Sequence, residues 1–73
     1  MLQRLEDTLS KQGFCFFLPR EDYVTFLNPD KNIMTVQRRE GVYWLYLGGV
    51  PAANQMLHAF NDLQDLLDYL LIL

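Results

Sequence analysis

The sequence predicts an α+β fold: an N-terminal helix, a four-stranded antiparallel β-meander that a short fifth strand can extend, and a C-terminal helix packed on one sheet face. Two runs rich in β-branched and aromatic residues flank Glu40-Gly41, as expected of a hairpin. A loop of strong turn formers, Asn-Pro-Asp-Lys-Asn, precedes that hairpin. Leucines at helical spacing mark both ends of the chain.

Length and composition indicate one small domain spanning residues 1–73. A chain of this size buries roughly 60% of the surface that it exposes when unfolded. Of its residues, 51% are hydrophobic and 14% are aromatic. These large side chains compensate for the small size of the domain. The single Cys15 excludes an internal disulfide and suits a reducing compartment. With no visible signal peptide and no apolar run of about 20 residues, we expect a cytoplasmic protein.

The N-terminal helix is predicted over Met1 to Gln12, with leucines 2, 5 and 9 along one stripe. Gly13 can adopt the left-handed conformation that ends a helix, and Phe14 then contacts Leu9 in a Schellman motif. We therefore expect the chain to turn at Gly13 and to enter a strand at Phe14.

The strands are predicted over 14–18, 23–27 and the two arms of the hairpin within 33–47. Pairing Arg38 with Tyr43 rather than with Val42 separates apolar from mixed side chains best, because a slip of one residue exchanges the faces of a strand. Leu18 is paired with Tyr23 and Leu27 with Ile33 by the same criterion. One face, the core face, then carries Cys15, Phe17, Val24, Phe26, Met34, Val36, Leu45 and Leu47. The other face, the open face, carries Phe14, Phe16, Leu18, Tyr23, Thr25, Leu27, Ile33, Thr35, Gln37, Trp44 and Tyr46.

The segment from Val50 to Phe60 fits two predictions. It is either a loop with a fifth strand near 55–59 or the first half of a long helix, and we prefer the strand. A separate helix then begins near Asn61, an N-cap whose capping box is completed by Gln64. Its apolar stripe comprises Leu63, Leu66, Leu67, Leu70 and Leu71. The apolar terminus Leu-Leu-Ile-Leu is expected to dock on the sheet or on another chain.

No residue pattern indicates an enzyme, a cofactor site or a metal site. Cys15 lies among phenylalanines with no base nearby, and a lone cysteine there is typical of a small core residue. His58 has no second ligand at metal-binding spacing. The helix aspartates 62, 65 and 68 are spread around the helix and are better explained as solvated. Gly48-Gly49 lacks the lysine and the spacing of a phosphate-binding loop.

The open face suggests a function instead. Tyrosine and tryptophan mixed with threonine and glutamine are typical of protein interfaces. We therefore predict a non-catalytic module that forms a homodimer or binds another protein, with Phe16, Tyr23, Gln37, Trp44 and Tyr46 as the partner-binding residues. The structural alternative is that the N-terminal helix or the chain after Gly49 covers this face. The functional alternative is single-stranded nucleic acid bound with Lys31, Arg38 and Arg39, which the net charge of −3 disfavours.

Overall fold

The computed structural model describes residues 2–72 and has one antiparallel sheet with a helix at each end of the chain. The five strands lie side by side in chain order. This architecture confirms the predicted α+β fold, including its fifth strand. The elements are α1 (Gln3–Ser10), β1 (Cys15–Pro19), β2 (Tyr23–Leu27), β3 (Ile33–Arg39), β4 (Val42–Leu47), a 3₁₀ helix (Ala53–Gln55), β5 (Met56–Phe60) and α2 (Leu63–Ile72).

The end of α1 follows from its sequence. Gly13 has a φ of 93°, the Phe14 N–H donates to the Leu9 carbonyl at 3.1 Å, and the Gly13 N–H donates to the Ser10 carbonyl. These are the two hydrogen bonds of a Schellman motif. Phe14 and Leu9 are both in the hydrophobic core. The helix is shorter than predicted, and Met1 lies outside the described residues.

The central hairpin has the predicted register. Arg38 pairs with Tyr43, and Leu27 pairs with Ile33 across the preceding loop. Glu40 and Gly41 have φ values of 54° and 76°. Positive φ at both central residues is what a type I′ turn requires, and this turn matches the twist of the flanking strands.

The first strand pair corrects the prediction. Leu18 pairs with Thr25 instead of Tyr23, and a bulge separates this pair from the pairing of Cys15 with Leu27. Phe16 lies in the bulge with a φ of 57°. Its left-handed conformation interrupts the alternation of side chains, so the residues before it change faces. Cys15 therefore shares the open face with Leu27 and is only half-buried.

The same bulge moves Phe14 from the open face, where we expected it, into the core. Its ring meets that of Phe26 edge-on, with centroids 5.8 Å apart. Phe17, which follows the bulge, stays on the core side as predicted and packs against Phe26.

Both helices cover the core face of the sheet. The core consists of side chains from both helices, from Phe14 just before β1, and from β2, β3 and β4: Leu5, Leu9, Phe14, Val24, Phe26, Met34, Val36, Leu45, Leu66, Leu67 and Leu70. Two predicted core residues are instead exposed. Leu47 is the last residue of β4, at the end of the sheet. Leu71 lies about 100° further round α2 than Leu70, away from the sheet.

The start of α2 differs from the prediction by one residue. The Asp62 carboxylate accepts a hydrogen bond from the Gln64 N–H at 3.1 Å, and the Asp62 carbonyl accepts from Leu66 N–H. Asp62, rather than Asn61, is thus the N-cap. The Gln64 side chain donates to Asp68 one turn later instead of completing a capping box. Leu73 lies outside the described residues.

Candidate protein-interaction surface

Among residues 2–72, no α-helix lies against the open face of the sheet, since both α-helices pack on the core face. The β4–β5 connection, residues 48–55, crosses part of this face; we call it the strap. The hydroxyl of Thr35 donates to the Gly48 carbonyl at 2.7 Å, and that of Thr25 donates to the Gly49 carbonyl at 3.0 Å. The Gly48 N–H donates to the Ile33 carbonyl. Sequence analysis left open which segment covers this face. The strap covers it, but only in part.

The strap side of the sheet carries polar groups whose hydrogen bonds run from the interior to the surface. Thr35 is fully buried and Tyr46 is 4% exposed. The Tyr46 hydroxyl donates to Gln37 Oε1 at 2.9 Å, and Gln37 Nε2 donates to Asp22 Oδ2 at 3.0 Å. This chain of hydrogen bonds satisfies the tyrosine hydroxyl and fixes the Gln37 amide. Tyr46 is therefore an interior residue of the open face and holds the Gln37 amide in position.

Trp44 lies beside this network and is half-buried. The Arg39 guanidinium is 4.6 Å from its ring centroid, a cation–π geometry. Its indole Nε1 is buried and has no hydrogen-bond acceptor among residues 2–72.

The most exposed part of the open face is apolar. Leu18 is 57% exposed, Ile33 50%, Val50 59% and Phe16, at the β1 bulge, 71%. We call these four residues the apolar patch. Leu18 and Ile33 both lie near Gly49, because Leu18 pairs with Thr25, whose hydroxyl binds the Gly49 carbonyl, and a Cβ at Gly49 would lie 3.9 Å from the Ile33 side chain. Val50 follows Gly49 directly.

The predicted partner-binding residues differ in how deeply they are buried. Phe16 belongs to the apolar patch, Tyr23, Gln37 and Trp44 are half-buried, and Tyr46 is interior. Leu18 and Ile33 were assigned to the open face from the strand alternation, but they were not selected because aliphatic residues carry no interface signature. Nothing in the sequence placed Val50 here, since the path of the strap depends on hydrogen bonds between residues far apart in the chain.

Both edges of the sheet are interrupted. The bulge at Phe16 breaks the β1 edge, and a second irregularity, between the pairs Leu45–His58 and Tyr46–Met56, breaks the β5 edge. Bulges are a common device against the addition of a further strand. The exposed surface best suited to a partner is therefore a face of the sheet, and not an edge.

The three bases considered for nucleic-acid binding are dispersed. Arg38 lies over the Tyr43 ring and Arg39 over the Trp44 ring. Adjacent residues of a strand project from opposite faces, so the two guanidinium groups do not share a surface. Lys31 precedes the start of β3, at the far end of the strand from both arginines. The bases do not form the continuous positive groove that tracks a phosphate backbone.

The remaining candidates for chemistry do not converge. Within residues 2–72 no group of three or more His, Cys, Asp and Glu side chains could hold a metal ion. The His58 ring stacks on Tyr69 at 5.8 Å and meets Phe60 at 4.6 Å, in a cluster that joins β5 to α2. No helix among the described residues is long and apolar enough to cross a membrane.

The larger of the two best-defined pockets, about 280 Å³, lies between the start of α1 and the β1–β2 turn. Its lining combines the carboxylates of Glu6, Glu21 and Asp22 with the guanidinium groups of Arg20 and Arg38. The mixed charges of this pocket do not select a ligand.

Comparisons of the chain with protein-family models, with curated proteins and with solved structures give no match in any of the three.

Proposed function

We propose that this chain is a small, non-catalytic protein-interaction module that binds its partner through the open face of the sheet. The observation that carries the proposal is the apolar patch: Leu18, Ile33 and Val50 on the open face, where no α-helix of residues 2–72 packs, and Phe16 at the β1 bulge are 50–71% exposed. Contiguous apolar patches on small proteins typically mark a binding surface.

The rest of the open face suits this role. Tyr23 and Trp44 add half-buried aromatic surface beside the patch, and Gln37 contributes a fixed amide. Partly exposed aromatic groups with adjacent polar groups are typical of interface centres and rims. In this proposal Phe16 makes the most direct contact, and Tyr46 acts by holding Gln37.

A protein partner is favoured over a nucleic acid by charge. The chain has a net charge of −3, and its arginines on β3 lie on opposite faces. Nucleic-acid affinity arises chiefly from neutralised phosphates. The half-buried free thiol of Cys15 is compatible with a reducing compartment, and we propose the cytoplasm as the place of action.

Site-specific photo-crosslinking tests the proposal. A photoreactive phenylalanine analogue is placed at Leu18 on the open face or at Asp68 on the exposed side of α2, and the protein is irradiated in the cells that produce it. We expect protein adducts from position 18 and few from position 68. Adducts from position 68 alone, or none from either position, would contradict the open face as the binding surface.

A further inference from the structure

We propose that residues 49–55 of the strap form a flap that alternates between a state latched to Thr25 and an open state, while Gly48 stays bound to the sheet. Opening of the flap uncovers Thr25 and the side of Ile33 that lies near Gly49. The device belongs to the single chain and requires no partner, so its test is independent of the proposed function.

The first argument is the number of protons on the two threonine hydroxyls under the strap. Three contacts of hydrogen-bond length join these groups: Thr35 Oγ1 to the Gly48 carbonyl at 2.7 Å, Thr25 Oγ1 to the Gly49 carbonyl at 3.0 Å, and the two Oγ1 atoms to each other at 3.1 Å. Each hydroxyl has one proton to donate and two lone pairs to accept with. Two protons therefore serve three contacts, and one contact at a time has no proton.

The proton of Thr25 is the one that can change its acceptor. Thr35 is fully buried and makes the shortest contact, so its proton stays with the Gly48 carbonyl. Its oxygen can still accept a hydrogen bond from Thr25. When Thr25 donates to Thr35 instead of to Gly49, a continuous chain of hydrogen bonds runs from Thr25 through Thr35 to Gly48, and such chains are cooperative.

The Gly49 carbonyl loses little when Thr25 releases it. Gly49 is exposed, so water can bind the freed carbonyl. In the latched state, by contrast, the two hydroxyl oxygens face each other at 3.1 Å without a proton between them. Because one neutral hydrogen bond replaces another, the latched and open states should differ in population by no more than about tenfold.

Gly48 marks the fixed end of the flap. Its carbonyl accepts from Thr35, and its N–H donates to the Ile33 carbonyl at 2.9 Å. Gly49 has only the bond from Thr25, and it lacks the Cβ that would restrict a change in its backbone angles. The change from a bound to a free backbone therefore falls between Gly48 and Gly49.

Side-chain packing holds the flap only weakly. Val50 is 59% exposed, and the 3₁₀ helix that precedes β5 is exposed along its whole length. Within residues 49–55 only Pro51 and Ala52 are half-buried. Segments with few buried apolar contacts are those that open locally in a folded protein.

Relaxation of the backbone amide nitrogens, measured on both the ps–ns and the μs–ms timescales, tests the flap. In the unmodified chain we expect Gly48 to be rigid, with an order parameter of about 0.85. Val50 and Ala52 should show either μs–ms exchange or an order parameter lower than that of Gly48 by about 0.1 or more.

Thr25→Val removes the latch, because valine keeps the branched shape but donates no proton. Val50 and Ala52 should then lose any μs–ms exchange and fall below an order parameter of about 0.6, while Gly48 stays rigid. Thr25→Ser is the matched control: it keeps the hydroxyl and should behave as the unmodified chain does. Circular dichroism melting verifies the fold of each variant, and Thr25→Ala replaces a Thr25→Val variant that is unfolded.

Four outcomes would overturn the inference. Val50 and Ala52 as rigid as Gly48 in the unmodified chain would mean that the flap does not open. Gly48 as mobile as Val50 would mean that the strap has no fixed end there. Motion unchanged by Thr25→Val, or changed equally by Thr25→Ser, would mean that the hydroxyl of Thr25 is not the latch.

Discussion

At the scale of single residues, left-handed backbone conformations determine where the chain turns and which side chains face the core. Gly41 was predicted to have a positive φ because glycine lacks the Cβ that disfavours this conformation. Phe16 has the same conformation, with a φ of 57°, yet nothing in its sequence context indicates it. Aromatic residues rarely adopt positive φ, so only the assembled sheet could show that Phe14 and Cys15 exchange faces.

The hairpin turn gives the first prediction. Gly41→Val should destabilise the fold by about 1–2 kcal/mol, because a side chain disfavours the left-handed backbone even where space is free. A Cβ at Gly41 would meet nothing within 4 Å, so the effect isolates the conformational cost. Urea unfolding measures it.

Gly49→Val is the control for this prediction. Gly49 does not have a positive φ, and a Cβ there would make ordinary contact with Ile33 at 3.9 Å. Equal losses of stability at the two glycines would show that backbone conformation is not what Gly41 contributes.

At the scale of elements, the central hairpin and the strap show why some features of the fold could be predicted from the sequence and others could not. The β3–β4 register follows from side-chain alternation and a turn, both local in sequence. The position of the strap follows from two threonine hydroxyls that bind carbonyls 13 and 24 residues away. Threonine in a strand is ordinary, so its second role could not be recognised from the sequence.

Thr35→Val tests the fastening of the strap. The substitution preserves shape but removes the donor to Gly48, in a fully buried position. We expect a loss of about 1–3 kcal/mol in the free energy of unfolding. Hydrogen exchange should also become faster in residues 48–55. Thr25→Val, at a half-buried position, should have a smaller effect, and a reversed order would mean that Thr35 does not anchor the strap.

The N-cap of α2 gives the third prediction. Asp62→Ala removes the acceptor for the Gln64 N–H and should cost about 1 kcal/mol. Asn61→Ala should cost less, since Asn61 precedes the cap. Thermal melting of both variants makes the comparison, and a larger loss for Asn61→Ala would restore the cap position expected from the sequence.

At the scale of the whole molecule, the sequence predicted the sheet and its two helices but not how much of each sheet face is covered. Leucine periodicity identified both helices, and the core residues Val24, Phe26 and Leu45 lie on the face that alternation assigned to them. The candidate site was predicted as a face and selected by aromatic content. The structure buries Tyr46 within that face and exposes aliphatic Leu18 and Ile33 instead, because exposure depends on the path of a connection that has no regular pattern.

The charge distribution gives the last prediction. Arg38→Glu combined with Arg39→Glu removes two adjacent bases and leaves the apolar patch itself unaltered, so protein adducts from position 18 should persist in this double variant. A fluorescent single-stranded oligonucleotide titrated into the unmodified chain should show no salt-sensitive binding. Binding that falls with salt and disappears in the double variant would instead favour the nucleic-acid function.

The consecutive order of the strands has a consequence for folding. Each strand pairs with its neighbour in the chain, so the meander can form by successive pairings from β1 to β5. Leu66, Leu67 and Leu70 of α2 complete the core, and until α2 docks a large part of the core face has no helix against it. Exposed apolar surface of this kind is prone to aggregation, so docking of α2 is the step that protects the sheet.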